Sequence, residues 1–310
     1  MKIAVVGAGN WGINLVRNLR DLGVLSHVAE SVGDLRSRAG VEAPDAELHE
    51  DYAALLDLEI DAVAIATPVP THHEMAKAFL EAGKDVFVEK PMTLASEDAS
   101  DLVRVAEERS RILMVGHLLL YQPAIQWIKE CIDSGELGRI YSLHQERVKL
   151  GRARYVENVT WSLGVHDIAA LLYLAGKKPI DAFASGHCGL QERVEDDVYV
   201  HLEFPDGMKA HLHNSWLWPE NRRGLTVIGE RGMLVYDEVN QRVIRHEKKI
   251  DSDLNNVDGG ESVVFEGSGQ PLRLELEHFL ECVTNRTPPR SDGQNGLDVV
   301  RVLESLNASS

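Results

Sequence analysis

The chain of 310 residues is poor in cysteine and has no long apolar run. Its three cysteines, Cys131, Cys188 and Cys282, lie far apart in sequence and form no CxxC pair. This spacing disfavours a disulfide framework and a structural zinc site, and it suits a reducing compartment. No apolar stretch of about 18 residues is present, and residues 1–6 lead into a strand pattern instead of a signal peptide. We therefore expect a cytoplasmic protein.

Basic residues are also scarce. The chain has 32 Lys and Arg against 49 Asp and Glu, which gives a formal net charge of −17. A surface with this charge repels phosphate backbones and anionic lipids, so we expect neither nucleic acid nor a membrane as a partner. A small anionic ligand remains compatible with this charge, because it needs only a local basic pocket.

The order of apolar segments predicts two domains. In residues 1–117, short apolar runs alternate with helical patterns, which is typical of βαβ units and a doubly wound parallel sheet. Residues 118–310 carry longer alternating strands and a Pro205-Asp206-Gly207 hairpin turn, which predict an α+β domain with a large, mostly antiparallel sheet. Residues 240–269 are expected to form a variable hairpin or a loose loop. The predicted fold class is therefore α/β, a Rossmann domain followed by an α+β domain.

A glycine-rich segment at residues 7–12 is the sharpest local signal. Gly7, Gly9 and Gly12 form a GxGxxG pattern that follows the first strand and opens a helix, the context of a dinucleotide site. In such a turn the first glycine allows the bend, the second admits the pyrophosphate and the third lets helix and strand pack closely. We count Asn10 and Trp11, which lie between these glycines, among the cofactor-binding residues.

Glu30 closes the second strand of the Rossmann pattern. It follows Gly7 at the spacing expected for an acid that accepts hydrogen bonds from the adenosine ribose. A carboxylate at this position would repel a 2′-phosphate, so the sequence favours NAD over NADP. Arg36 and Arg38 nearby leave NADP open.

Polar residues follow the next two predicted strands, at the edge of the sheet where a cofactor crevice forms. Thr67-Pro68 follows one strand, with His72 at the start of the next helix, and Glu89-Lys90-Pro91 follows the other. We predict cofactor contacts for Thr67, Pro68, His72, Glu89 and Lys90. Lys90 could also hydrogen-bond a substrate hydroxyl and favour a developing alkoxide. The alternative is an exposed lysine in a turn.

A second candidate site lies in residues 161–167. His166 falls at the start of an otherwise apolar helix, and an imidazole there suits proton removal from an alcohol as a hydride departs. We place Trp161, Ser162 and Asp167 with it on the substrate side. A core histidine bonded to the backbone is the alternative for His166, and a helix-start carboxylate the alternative for Asp167.

Four cations stand close together before this segment. Arg147, Lys149, Arg152 and Arg154 could hold a diphosphate, or they could form a solvated edge with scattered salt bridges. We predict no metal site. The residues of His72-His73-Glu74 are adjacent and do not face one another on a helix, and His211 and His213, on one face of a strand, have no third ligand at a definite spacing.

Taken together, these motifs resemble the Gfo/Idh/MocA oxidoreductase family over essentially the whole chain. The resemblance rests on residues 7–12, Thr67-Pro68, Glu89-Lys90-Pro91, residues 135–138, the His166 helix and the segment 274–297. In that family a lysine and a histidine are the usual catalytic pair, and they correspond to Lys90 and His166. Many members have an aspartate four residues before the histidine, where this chain has Ser162, so the resemblance implies a dyad in place of a triad.

Within the family, residues 116–124, 147–151 and 158–167 look most like the branch that oxidises sugar nucleotides, including UDP-N-acetylglucosamine and its uronate. The resemblance thus implies an NAD-dependent dehydrogenase that oxidises a secondary hydroxyl, at C3, of a UDP-sugar. A homodimer or homotetramer through the open face of the second sheet is the family expectation. The alternatives are a dehydrogenase of a free sugar or an inositol-like polyol, and a non-catalytic NAD-binding sensor or scaffold.

Overall fold

The computed structural model describes residues 1–155, 157–267 and 269–307. Contacts divide the chain into two compact units, the first formed by Met1–Leu118 and Gln270–Arg301 and the second by Leu119–Gly269 and Val302–Ser310. The sequence had placed all of residues 118–310 in one domain, whereas Gln270–Arg301 groups with the first unit. The reason is apolar packing within that unit, such as the Phe279 ring against the Phe87 ring at 5.8 Å.

The first unit contains a six-stranded sheet in the order β3-β2-β1-β4-β5-β6, and all of its paired strands are parallel. This arrangement confirms the predicted doubly wound sheet. The central strands are wholly apolar and buried, because parallel sheets are covered on both faces. The strands are β1 (Ile3–Val6), β2 (Leu25–Ala29), β3 (Glu47–His49), β4 (Ala62–Ile65), β5 (Asp85–Val88) and β6 (Leu113–Val115).

Eight helices accompany the strands in the described ranges. None of them is both long and apolar enough to cross a bilayer. The helices are α1 (Gly12–Asp21), α2 (Gly33–Glu42), α3 (His72–Glu81), α4 (Ser96–Arg109), α5 (Pro123–Asp133), α6 (Val165–Ala175), α7 (Pro271–Asn285) and α8 (Gly293–Asn307).

The second unit contains an eight-stranded sheet in the order β14-β13-β12-β11-β7-β10-β9-β8. Among the strands that the structure describes in this sheet, only β7 and β10 pair in parallel, so the predicted mostly antiparallel sheet is confirmed. The strands are β7 (Ile140–Leu150), β8 (Asp181–His187), β9 (Asp197–Glu203), β10 (Lys209–Ser215), β11 (Leu217–Gly229), β12 (Gly232–Asp237), β13 (Arg242–Ile250) and β14 (Asn256–Glu266). Most of residues 240–269 therefore form an ordered hairpin, the first of the two predicted alternatives.

Candidate active site

The glycine-rich turn joins β1 to α1 and leaves room for a phosphate group. Gly7 has φ +90°, and a Cβ there would lie 2.8 Å from the carbonyl oxygen of Ala66. A Cβ on Gly12 would lie 2.0 Å from the carbonyl oxygen of Gly7, whereas a Cβ on Gly9 would meet no atom within 4 Å. The first and third positions thus require glycine for close packing, and the open space at Gly9 is where a side chain would obstruct a pyrophosphate. This arrangement fits NAD.

A cleft of about 760 Å³ lies beside this turn, where the carboxyl ends of the parallel strands meet. Its volume falls within the range of about 300–1,000 Å³ that is usual for small-molecule sites. Glu30, Glu50 and Asp51 line it, and no Lys or Arg does so among the residues that the structure describes. The negative lining disfavours the additional phosphate of NADP. Thr67 and Pro68 also line this cleft, in the place predicted for them.

Glu30 supports the turn as well as facing the cleft. One carboxylate oxygen accepts the Ala8 N–H at 2.7 Å, and the other accepts the Val32 N–H at 2.9 Å. Because a carboxylate offers about four acceptor positions, capacity remains for a ribose hydroxyl. Arg36 donates to the Glu30 main-chain oxygen at 2.6 Å and lies 3.4 Å from Glu50, so its charge is partly neutralised. Arg38 is exposed.

His72 does not reach the cleft surface, which corrects the prediction that it touches the cofactor. Its side chain is fully buried, and its ring nitrogens lie 3.0 Å from the Pro91 carbonyl oxygen and 2.9 Å from that of Thr67. Burial lowers the pKa of this imidazole. Since the neutral ring carries one N–H, it donates to one of these carbonyls at a time. His72 therefore positions the two turns that carry Thr67 and Lys90.

Glu89 links the glycine-rich turn to Lys90. Its buried carboxylate accepts the indole N–H of Trp11, and it also accepts the Lys90 main-chain N–H at 3.2 Å. Burial raises the pKa of Glu89 to about 6. Trp11 and Asn10 are exposed on the turn, as residues that contact a cofactor should be.

Two further titratable groups lie near the Glu89-Lys90 turn. His117 is buried, and burial together with the positive charge of Lys90 lowers the pKa of this imidazole to about 3. Glu275 on α7 is buried as well, and its pKa is raised well above the usual value by burial and by the charge of Glu89. His117 is consequently neutral at pH 7, and Lys90 is the cationic member of this group.

Glu89 makes the stability of the protein depend on pH. Its pKa rises from 4.5 to about 6 on folding, so the folded protein binds this proton more tightly than the unfolded chain does. The contribution of Glu89 to the free energy of unfolding therefore falls by about 2 kcal/mol as pH rises through this interval. Glu89→Gln should remove that part of the pH dependence.

Urea unfolding at several pH values from about 4 to about 7 measures the free energy of unfolding across the interval in which Glu89 titrates. The exposed loop residue Glu59 provides a matched control, because Glu59→Gln should leave the pH profile unchanged. A profile for Glu89→Gln that parallels the wild type would contradict the assignment.

The second unit holds the other predicted catalytic residue. A single π-helical turn, Thr160–Gly164, leads into α6, and His166 lies half-buried in the first turn of that helix. Irregular turns of this kind often occur at functional sites. Gly164 makes room for Asn214, whose side-chain oxygen would lie 2.3 Å from a Cβ at this position. The half-buried position leaves His166 partly accessible, unlike a core histidine.

Three residues predicted on the substrate side have different exposures. Ser162 is half-buried. Trp161 is only 9% exposed, and its main-chain N–H donates to the Asn158 side chain at 3.0 Å, so it supports the turn more than it faces a ligand. Asp167 is fully buried, which excludes the predicted direct contact with substrate.

Arg147 is also buried, and this corrects its predicted role in binding a diphosphate. Its guanidinium donates to the carboxylate of Asp167 at 2.8 and 3.1 Å and to that of Glu238 at 3.2 and 2.7 Å. Gln145 and Asn214 each donate to Asp167 at 3.1 Å. Both carboxylates raise the pKa of Arg147, although burial opposes them. The ion pair therefore fixes the first turn of α6, next to His166.

The other three cations of this segment remain accessible. Lys149 is half-buried, whereas Arg152 and Arg154 are exposed. Arg154 lies 3.5 Å from Glu157. An ion pair at the surface contributes little to the stability of the fold. Lys149 and Arg152 are thus the better candidates for binding an anionic ligand.

Sequence patterns did not single out His117, Glu238 or Glu275 as site residues. His117 follows β6 directly, so the rule that selected Thr67 and Lys90 could have found it. Glu275 lies on the apolar face of α7, among residues that face the core. An acidic residue at such a position is the one signal in the sequence that could have indicated its burial. Glu238 follows β12, and pairing between distant strands brings it to Arg147. No local pattern indicates that contact.

Comparisons with known proteins agree with this architecture. A family model described as "Oxidoreductase family, NAD-binding Rossmann fold" matches residues 1–117, and a model of the GFO/IDH/MocA C-terminal domain matches residues 125–235. The chain is 27% identical to UDP-N-acetylglucosamine 3-dehydrogenase of Acidithiobacillus ferrooxidans, covering 97% of this chain and 94% of that protein. It is 25% identical to myo-inositol 2-dehydrogenase of Thermotoga maritima, covering 96% and 92%.

A solved structure of the Acidithiobacillus ferrooxidans enzyme is similar along the full length. Its TM-score is 0.89 at 25% sequence identity, and the match covers 100% of this chain and 97% of that one. The similarity therefore extends over both compact units.

Proposed function

The chain belongs to the Gfo/Idh/MocA family of NAD-dependent oxidoreductases, and on this premise we propose that it oxidises a secondary hydroxyl, at C3, of a UDP-sugar such as UDP-N-acetylglucosamine. The hydrogen-bonded link from Trp11 through Glu89 to Lys90 is the observation that carries the proposal. It fixes an amine-bearing residue to the same turn that leaves room for the pyrophosphate of NAD. An ammonium next to a hydride acceptor suits alcohol oxidation better than passive binding of a nucleotide.

The proposed roles follow from the chemistry of each side chain. Bound NAD supplies the hydride acceptor. The Lys90 ammonium donates a hydrogen bond to the reacting hydroxyl oxygen and stabilises negative charge that develops there. The His166 imidazole accepts the hydroxyl proton, so that loss of one hydride and one proton leaves a ketone. Neutral His117 adds no competing charge beside Lys90.

A UDP-sugar is favoured by two observations. The relative from Acidithiobacillus ferrooxidans is named for UDP-N-acetylglucosamine and matches nearly the whole chain. Lys149 and Arg152 supply accessible positive charge on a protein whose net charge is −17, close in sequence to the π-helical turn. A diphosphate is the part of such a substrate that would use these cations.

A free polyol is the second candidate substrate. The burial of Arg147 removes one cation from the predicted diphosphate set, and another full-length relative is named myo-inositol 2-dehydrogenase. A polyol has no phosphate and would leave Lys149 and Arg152 without a ligand.

A substrate panel separates these candidates. The protein with NAD should form reduced nicotinamide when UDP-N-acetylglucosamine or its uronate is added, but much less with myo-inositol or free N-acetylglucosamine. Replacing Arg152 with methionine should raise KM for the UDP-sugar at nearly unchanged kcat. Turnover of the polyol alone would favour the second candidate, and no turnover with any substrate would favour a binding protein.

Glu30 should control the choice of cofactor. Glu30→Ala removes the acceptor for the ribose and a source of repulsion against a 2′-phosphate, so the ratio of the NAD and NADP dissociation constants should shift at least about ten-fold toward NADP. Loss of the bonds to Ala8 and Val32 should also weaken NAD binding itself. Titration of both cofactors by fluorescence measures the ratio, and an unchanged ratio would contradict the role.

We also propose a homodimer or homotetramer formed through the second sheet. Aromatic side chains on its outer strands are half-exposed, with Phe183 at 52% and Tyr199 at 47%. Light scattering tests the proposal, and replacing Phe183 with glutamate should shift the mass toward the monomer. A monomeric wild-type protein would contradict it.

A further inference from the structure

A group of two histidines and one glutamate lies at the edge of the parallel sheet in the first unit. We propose that His27, Glu47 and His49 form a site for one divalent transition-metal ion of the zinc type, bound by two imidazole nitrogens and a carboxylate oxygen. Sequence patterns had predicted no metal site, and they did not connect His27 with His49, which belong to different strands and are 22 positions apart. Strand pairing brings them together, with His27 opposite Glu47 and Ala29 opposite His49.

The geometry supports a shared ion. His27 Nδ1 and His49 Nε2 are 3.2 Å apart. Two nitrogens bound to one tetrahedral Zn²⁺ at 2.0–2.1 Å would be separated by about 3.3 Å. Glu47 Oε2 lies 3.8 Å from His27 Nδ1, and Glu47 Oε1 lies 3.9 Å from His49 Nε2. One ligand atom from each of the three groups thus lies within 4.8 Å of the other two.

The ligand set also suits such an ion electrostatically. The Glu47 side chain is 69% exposed and can move by the few tenths of an ångström that a bond requires. One carboxylate with two neutral imidazoles partly neutralises a divalent ion, and water can fill the fourth position. Lys2 is a nearby cation that weakens binding somewhat.

The position of the group indicates what an ion would do. β3 is an edge strand of three residues, and the next two residues, Glu50 and Asp51, line the cofactor cleft. An ion between His27 and His49 would tie this short strand to β2 and stabilise that wall of the cleft. Binding should therefore raise the melting temperature, and the rise should grow with the free concentration of the ion.

Calorimetric titration of the chelator-treated full chain with Zn²⁺ tests the proposal. The wild type should show one saturable site per chain, and His27→Gln and His49→Gln should each weaken it at least about 100-fold, beyond the loss typical for residues that only support ligands. Glu47→Gln, at an exposed position, should weaken it about ten-fold without affecting the fold. Co²⁺ in place of Zn²⁺ should give the visible absorption of a four-coordinate site, lost in His49→Gln.

Two variants serve as controls. His73→Gln removes a histidine of α3 that pairs with Asp101 of α4, and His201→Gln removes one that contacts His211 in the other sheet. Neither should change the site. Absence of a saturable Zn²⁺ site, binding that persists in His27→Gln and in Glu47→Gln, or binding lost only in His201→Gln would overturn the proposal.

Discussion

Replacing Arg147 with methionine is expected to lower the free energy of unfolding by about 3–5 kcal/mol. The guanidinium is the shared partner of two buried carboxylates, Asp167 and Glu238. Methionine preserves much of the aliphatic volume but leaves both carboxylates without their cation in a medium of low polarity. Removing one member of a buried ionic group costs far more than breaking an exposed pair, because the remaining charges stay desolvated.

Chemical denaturation of the purified variant measures this loss. Arg152→Met is the matched control, since Arg152 is exposed and its replacement should change stability by no more than about 0.5 kcal/mol. Circular dichroism before the titration checks that Arg147→Met folds. A loss below about 1 kcal/mol would show that the Asp167–Arg147–Glu238 group does not hold α6 as we describe.

The second large effect is expected on turnover. Lys90→Met and His166→Asn should each lower kcat by about 10²–10⁴-fold, the usual range for losing a group that stabilises developing charge or accepts a proton in the transition state. NAD binding should change little, because we assign its main contacts to the glycine-rich turn and Glu30. Initial rates at saturating NAD over a range of UDP-sugar concentrations separate kcat from KM.

A control separates chemistry from substrate binding. Lys149→Met changes a cation of the second unit that we assign to substrate binding, and it should raise KM with a much smaller effect on kcat. Near wild-type kcat in Lys90→Met or His166→Asn would contradict the proposed pair. If His166→Asn loses turnover and also melts at a lower temperature, His166→Gln provides a second test.

The fold could be predicted from the sequence because the local signals for strands, helices and turns all agree with one topology in this chain. Continuous apolar runs such as β4 and β5 identify buried parallel strands, and Gly7 identifies the first turn by the bend it must make. The short β3 and the weakly amphipathic α2 were missed. α2 buries only Ala39 in its range and β3 buries no side chain fully, so neither has the periodicity on which such a prediction depends.

The positions of buried charged residues could not be predicted as well from the sequence. Thr67 and Lys90 could be placed because the carboxyl ends of parallel strands meet at one edge. Arg147 and Asp167 looked like ligand-binding residues, since nothing in the sequence indicates that Glu238 lies opposite them. Ion pairs between distant strands depend on sheet register, and register becomes visible only in the folded chain.

Transfer of deuterium is the most direct test of the proposed reaction. UDP-N-acetylglucosamine labelled with deuterium at C3 is mixed with the protein and NAD, and the reduced nicotinamide is examined by mass spectrometry and NMR. We predict that the wild type places deuterium at C4 of the nicotinamide. Lys90→Met should transfer no detectable deuterium on the same timescale. Reduced nicotinamide without the label, or no reduction while the cofactor is bound, would contradict C3 oxidation.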